Sequence, residues 1–341
     1  MAAAPSDLIV LRPEGLYCPA GDFHIDPWRP VARAVITHAH ADHARRGHAA
    51  YLATALSEGL LRARLGSLSM QGLHYGETLR VNGVELSLHP AGHVLGSAQV
   101  RVAHQGQVWV VSGDYHCSGH AQDDNPTCAP FEPVRCDCFI TECTFGLPLY
   151  RWRPQATAMA EINAWWRDNV HAGRASLLLG YSLGKAQRLL AGLDPVIGPI
   201  VVHDAVEPIN AAYRAAGVSL PATLPAAALA DATLARTALV LAPPGARGGA
   251  WARPLGTCST ALASGWMQLR SGRRRQGLDR GFVLSDHADW PGLLRAIEAT
   301  GAHRVIVTHG EEAVLVRWLR ELGLQAGSFD TADGHDQEAM T

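Results

Sequence analysis

Short apolar runs, separated by Gly, Pro and Asp turns, dominate residues 8–140. The runs Leu8-Ile-Val-Leu11, 34–37, 84–88, 99–102, 108–112 and 138–141 predict strands, and helical texture is confined to about 41–66. From 155 to 171 the pattern changes, with Met159, Ile162 and Trp166 at helical spacing. A strand at 175–179, a helix at 185–193, a strand at 195–203 and a helix at 206–215 follow. That β-α-β-α order predicts a separate α/β layer with a parallel sheet. Residues 222–235 are rich in Ala and Leu, and Pro243-Pro-Gly-Ala-Arg-Gly-Gly249 reads as a flexible loop. Strands return at 282–284 and 304–308, separated by a helix at 290–300, and a last helix covers about 311–323. The tail after Phe329 is expected to be disordered, and no internal repeat is visible.

A chain of 341 residues exceeds one ordinary core, so two domains, or one with a large insertion, are expected. Apolar content of 48% and charged content of 18% describe a soluble globular protein. A net charge of −2 excludes nucleic-acid binding by bulk electrostatics and leaves that role to local basic patches. The positive charge is almost all arginine, and Lys185 is the only lysine. Seven cysteines form no CxxC pair, which suits buried thiols in a reducing compartment. The N-terminus has no basic stretch followed by a long apolar core, and no apolar run is long enough to span a bilayer. A cytoplasmic location with no membrane partner is the expectation.

The densest chemistry is His38-Ala-His40-Ala-Asp42-His43, placed where the run 34–37 ends. Residues two apart at a strand end point the same way, so His38 and His40 can grip one ion together. Asp42 and His43 can reach a second ion beside it. Imidazole and carboxylate suit zinc or manganese. Single polar groups recur after other predicted strands: His93, Asp114 and His309, each beside a glycine that lets the backbone approach a ligand or metal closely. Together they predict one metal set of His38, His40 and His93, and a second of Asp42, His43 and His309, with Asp114 bridging. Two ions about 3.5–4 Å apart could activate a water for hydrolysis of a phosphodiester or an acyl bond.

That order of ligands resembles the metallo-β-lactamase superfamily. Thr141-Glu-Cys-Thr-Phe-Gly146 is similar to motif A of the β-CASP nucleases, Leu284-Ser-Asp-His-Ala-Asp289 to motif B, and Val307-Thr-His-Gly-Glu311 to motif C. Ala263-Ser-Gly-Trp-Met267 is similar to a further β-CASP segment. Longer strings, such as Gly15-Leu-Tyr-Cys-Pro-Ala-Gly-Asp-Phe23, Ile25-Asp-Pro-Trp-Arg-Pro30 and Trp266-Met-Gln-Leu-Arg270, resemble the bacterial ligase-associated DNA exonuclease group.

The resemblance implies an α/β fold: an αβ/βα four-layer sandwich with an inserted α/β β-CASP domain and an active site in the groove between them. On that pattern 1–148 and 282–330 form the metallo-β-lactamase domain, 149–281 the insertion, and 331–341 a disordered tail. It implies two divalent ions, zinc or manganese, and a nucleic-acid phosphodiesterase. DNA is favoured, with exonucleolytic cutting in DNA repair beside an ATP-dependent DNA ligase and a helicase. Asp26 matches a carboxylate that orients a metal-binding histidine. His287 matches the motif B histidine that protonates the leaving oxygen, and Glu142 the acid that holds its ring. Asp42 is counted with these two among the catalytic groups. A histidine at motif C, here His309, is more typical of the RNA-cutting branch, so an RNA-processing nuclease is the alternative.

Gly180-Tyr-Ser182-Leu-Gly184 also fits a nucleophile elbow between a strand and a helix. A serine hydrolase would pair Ser182 with Asp286 or Asp289 and His309. In β-CASP nucleases a similar string lies in the insertion, where Ser182 and Lys185 read as a phosphate contact at a helix N-terminus or as a plain tight turn. Arg273, Arg274 and Arg275, with Arg280, form the densest basic run and a candidate substrate contact. Arg151, Trp152 and Arg153 mix cations with an aromatic that could stack a base.

Overall fold

The computed structural model describes residues 7–117, 125–269 and 277–329. The predicted tail at 331–341 and the basic run at 273–275 lie outside them. Among the described residues the chain is mixed α/β with three sheets. It divides into two compact units: 7–117, 128–149 and 287–329 in the first, 125–127, 150–269 and 277–286 in the second.

The first unit holds two sheets. Six strands, from Val10–Arg12 to Met70–Leu73, lie in chain order in one. The other has seven, with Gln107–Val111, Cys138–Cys143 and Arg304–Gly310 parallel at its centre. Trp109, Val111 and Ile140 on one face join Phe23, Ile25 and Val35 of the smaller sheet in a shared core. The alternate positions Val110, Phe139 and Val305 pack with Leu293 and Ile297 of the helix Trp290–Thr300 and with Leu315 and Leu319 of Glu312–Glu321. Covering both faces explains why these strands read as continuous apolar runs. Each fully buried Leu, Ile or Val contributes about 1.5–3 kcal/mol.

The second unit is built on a six-stranded, fully parallel sheet. In Ser176–Leu179, Leu178 faces Trp166, Leu189 and Leu241, whereas Leu177 and Leu179 face Val240 and Leu262. The predicted helix over 155–171 is the helix Gln155–His171.

The structure corrects the helix expected over 41–66. Residues 41–44 make turns, Ala50–Thr54 is a strand, and only Glu58–Leu65 is α-helical. Ala50–Thr54 pairs in parallel with Arg33–Val35 on one side and Met70–Leu73 on the other. That long-range pairing overrides a local sequence of good helix formers. The strand expected at 195–203 shortens to Ile200–Val202, because Pro195 and Pro199 have no N–H for the ladder. No helix among the described residues is long and apolar enough to cross a membrane.

Candidate metal centre

The first unit gathers its polar groups at the carboxyl ends of strands. His38 follows Arg33–Val35, His93 follows Val84–Pro90 and Asp114 follows Gln107–Val111. Gly113 makes the approach possible: at φ +56° a Cβ there would stand 2.6 Å from the Thr37 side chain. A side chain at Gly92, φ +76°, would strike the His116 carbonyl at 2.4 Å. Only glycine lets these loops close on one another.

His38, His40, His93 and Asp114 form one group whose ligand atoms all lie within 4.8 Å, and Asp42, His43 and Asp114 form another. Asp114 divides its carboxylate between them. Oδ2 lies 3.5 Å from His38 Nε2 and 3.6 Å from His93 Nε2, while Oδ1 lies 3.3 Å from His43 Nε2. Behind His43, Asp26 sits 2.7 Å from Nδ1 and accepts from the Thr37 backbone N–H at 2.8 Å and hydroxyl at 2.5 Å. Asp26 adopts φ 45°, a conformation aspartate tolerates better than most residues. Thr37 was not singled out from the sequence, although it directly precedes His38.

A third group joins Asp114 to Glu142 and His287. Glu142 is almost fully buried. Its oxygens stand 2.8 and 2.9 Å from His287 Nδ1, and they accept from the Tyr115 N–H at 2.8 Å and the Thr144 hydroxyl at 2.5 Å. Thr144 was likewise missed, two residues beyond Glu142. The His287 ring lies 4.7 Å from that of His93.

His309 stands apart from these groups. Its ring stacks beside His43 with centroids 5.8 Å apart, its backbone has φ 56°, and its Nδ1 lies 3.2 Å from Thr308 Oγ1. The His309 ring thus lies beside His43, a member of the second set read from the sequence, although its nitrogens are not gathered with the Asp42, His43 and Asp114 ligand atoms.

The donors suit a divalent cation. His38 Nε2 and His93 Nε2 both lie 3.0 Å from His40 Nδ1, yet one ring nitrogen cannot hydrogen-bond properly to two others. Asp42 Oδ1 is buried without a hydrogen bond, and His43 Nε2, 3.1 Å from Asp42 Oδ2 and 3.3 Å from Asp114 Oδ1, makes no well-aligned hydrogen bond to either. Such convergence of lone pairs is what a cation stabilises. Burial pushes His38 well below the usual histidine range, with His43 adding to the shift and Asp114 opposing it. Burial opposes the charge on His43, but Asp114, Asp42 and Asp26 outweigh it and hold His43 well above that range. Burial would raise Asp42 and Asp114, and His43 instead holds both carboxyls low.

The candidate substrate contacts fare differently. Ser182 is half-buried in the turn between Ser176–Leu179 and the helix Lys185–Gly192. Lys185 is not offered to a phosphate. It is 3% exposed, and its Nζ donates to the Leu284 carbonyl at 2.8 Å and pairs with Asp286 at 2.9 Å. Arg188, also buried, donates to the Ser285 carbonyl at 2.5 Å, Asp286 at 3.1 Å and Gln155 at 2.6 Å. Burial draws the Lys185 ammonium down to about 8 against the pull of Asp286. The acids a serine hydrolase would need are thus engaged: Asp286 here, and Asp289 as the cap that accepts from Gly292 N–H at 2.8 Å.

Fold and site together define a mixed α/β protein with a His/Asp cluster able to hold divalent metal. The chain is similar to a probable DNA ligase of Opitutus terrae, 33% identical over 316 residues, 92% of this chain and 30% of that protein. It is also similar to the endoribonuclease YSH1 of Yarrowia lipolytica, 29% identical over 125 residues, 37% of this chain and 14% of the relative. Its counterpart in Schizosaccharomyces pombe is 30% identical over 125 residues, 37% of this chain and 16% of the relative. The chain thus spans less than a third of the length of these curated relatives. No protein-family model matches it. A solved structure, a protein of unknown function from Enterococcus faecalis V583, shares the fold with a TM-score of 0.59 and 12% identity, over 86% of this chain and 78% of that one.

Proposed function

We propose that this chain is a metal-dependent nucleic-acid phosphodiesterase of the metallo-β-lactamase type, with residues 149–281 as its β-CASP insertion. The observation that carries the reading is the Asp114 carboxylate, whose two oxygens are divided between two groups of metal-type ligands. Zinc is the favoured ion and manganese the alternative; His38, His40 and His93 would hold one ion, and Asp42, His43 and His309 the other. Bound there, such ions would supply Lewis acidity that lowers the pKa of a water to about 7 and offsets phosphate charge.

The remaining chemistry belongs to the chain. Asp26, braced by Thr37, fixes the ring of His43. Glu142 accepts a hydrogen bond from the Nδ1–H of His287, which holds the ring and leaves Nε2 as the nitrogen that delivers a proton to the leaving oxygen. Asp42 completes the polar wall beside His43.

DNA is the preferred substrate, since the similarity that runs along 92% of the chain is to a probable DNA ligase. An exonuclease acting in repair, beside a ligase and a helicase, is the particular role proposed. RNA processing is the second reading, favoured by the likeness to YSH1 and by His309. The test is cleavage of 5′-labelled single-stranded DNA, duplex DNA and RNA by the metal-loaded protein and by Asp114→Ala. DNA shortened by the wild type, with at least a thousandfold loss in the variant, is expected. RNA cut while DNA stays intact selects the second reading, and equal cutting by the variant sinks the mechanism.

A further inference from the structure

The parallel sheet of the second unit brings three loops to one level. Leu179 pairs with Ala242 on one side and with Leu262 on the other, so the residues that follow emerge side by side at the carboxyl edge. The chain leaves Ser176–Leu179 through the helix Lys185–Gly192 toward Ile200–Val202, on one side of the sheet. From Ser259–Ala263 it runs to Arg280–Phe282, on the opposite side. Adjacent strands whose connections diverge are where open parallel sheets bind ligands.

These two loops carry the unit's large exposed aromatics, Tyr181 at 50% and Trp266 at 45% exposure. Neither is on a slack segment. Tyr181 accepts the Ala186 N–H at 2.9 Å through its carbonyl, and Gln187 ties the Gly184 N–H at 2.7 Å and the Ser182 carbonyl at 3.0 Å. The Trp266 indole stands edge-on against the buried Tyr150 ring, 5.8 Å between centroids at 89°. The Ser264 side chain caps the turn beneath it by accepting the Trp266 N–H. An indole held this way loses little entropy on binding, which is how rigid aromatics serve as anchors.

Charge tells what the rings would meet. Arg151, next to Tyr150, is exposed, and the neighbouring loop after Leu239–Ala242 carries exposed Arg247. Residues 243–269, which include two of the three loops, carry Arg247 and Arg253 and no Asp or Glu. In a chain of net charge −2 that is a local bias toward an anionic partner. Aromatic faces beside guanidinium groups match a strand that offers π-faces and phosphates together.

We infer that the carboxyl edge of this sheet is a binding platform for single-stranded DNA, with Tyr181 and Trp266 stacking unpaired bases and Arg151 and Arg247 meeting the phosphates. The assignment to DNA rests on the proposed function; the platform rests on the loops themselves.

Binding of a fluorescent 12-mer DNA by the full chain, followed by anisotropy in EDTA so that no cleavage intervenes, tests it. An abasic 12-mer keeps the phosphates and removes the bases. Wild type should bind the base-bearing strand at least about tenfold more tightly than the abasic one, since each stacked base is worth about 1–3 kcal/mol. Tyr181→Ala and Trp266→Ala should each lose about tenfold on the base-bearing strand alone, with Trp266→Phe restoring most of it. Equal binding of the two strands, or variants that bind as the wild type does, overturns the platform. A matched RNA bound more tightly than the DNA overturns the assignment to DNA. Cleavage by metal-loaded wild type is scored separately. A protein that cuts DNA while the variants bind unchanged loses the platform alone, and one that binds through these rings without cutting loses the phosphodiesterase alone.

Discussion

Asp114 in the first unit and Asp286 in the second are each 6% exposed, and each is surrounded by cationic or potentially cationic groups. Around Asp286 nothing is left over. Lys185 and Arg188 divide its oxygens and spend further donors on the Leu284 and Ser285 carbonyls and on Gln155. Around Asp114 the imidazole nitrogens crowd each other at 3.0 Å, Asp42 Oδ1 has no hydrogen bond, and His43 Nε2 sits beside two carboxylate oxygens without a well-aligned bond to either. Burial is the same; satisfaction is not. A buried polar cluster that completes its own bonds holds a fold together, and one that aims acceptors at a common point is built to hold a cation. The lone lysine belongs to the first kind, despite its place at a helix start.

The comparison breaks most easily at Asp286. Asp286→Ala leaves Lys185 and Arg188 buried without their anion, and a loss of about 3–5 kcal/mol is expected from denaturant unfolding. The loss should be the same with and without added metal.

Metal loading acts on the other cluster. Zinc at a thousand times its dissociation constant should stabilise the wild type by about 4 kcal/mol, read as a rise in Tm over the EDTA-treated protein. Asp114→Ala should show little of that rise. A variant that keeps the full shift would remove Asp114 from the proposed site.

The smallest effect comes from pH. Lys185 titrates near 8 in the folded chain against an ordinary 10.5, so between these values the unfolded chain holds a proton that the folded one has released. Stability should therefore rise with pH across that window, by at most about 3.5 kcal/mol, relative to Lys185→Met. The burden is fully present below pH 8 and relieved above it. Parallel stability curves for the two proteins would show that the ammonium is not held as described.

Much of the candidate site could be read along the chain. His38, His40, Asp42 and His43 are neighbours in sequence, and short spacing on a strand end leaves few ways to separate them. His93 and Asp114 stand beside glycines, and in the structure Gly92 packs against the His116 carbonyl and Gly113 against Thr37. The helix Gln155–His171 follows from its apolar spacing alone. Local pattern failed at 41–54, where good helix formers become turns and a strand because two partner strands lie on either side.

What the sequence determined by itself was therefore chemical and local: the ligand types, their order, the alternation of apolar residues and the glycines that permit close turns. The tertiary structure decided which groups answer each other across long separations. It joined His287 to Glu142, 145 positions apart, and His43 to Asp26, 17 apart. It turned Lys185 inward to Asp286, and it stacked the ring of His309 beside that of His43. The reason is physical. A residue's type sets which bonds it can make, but only the packed core sets which partner is within about 3 Å when water has been removed.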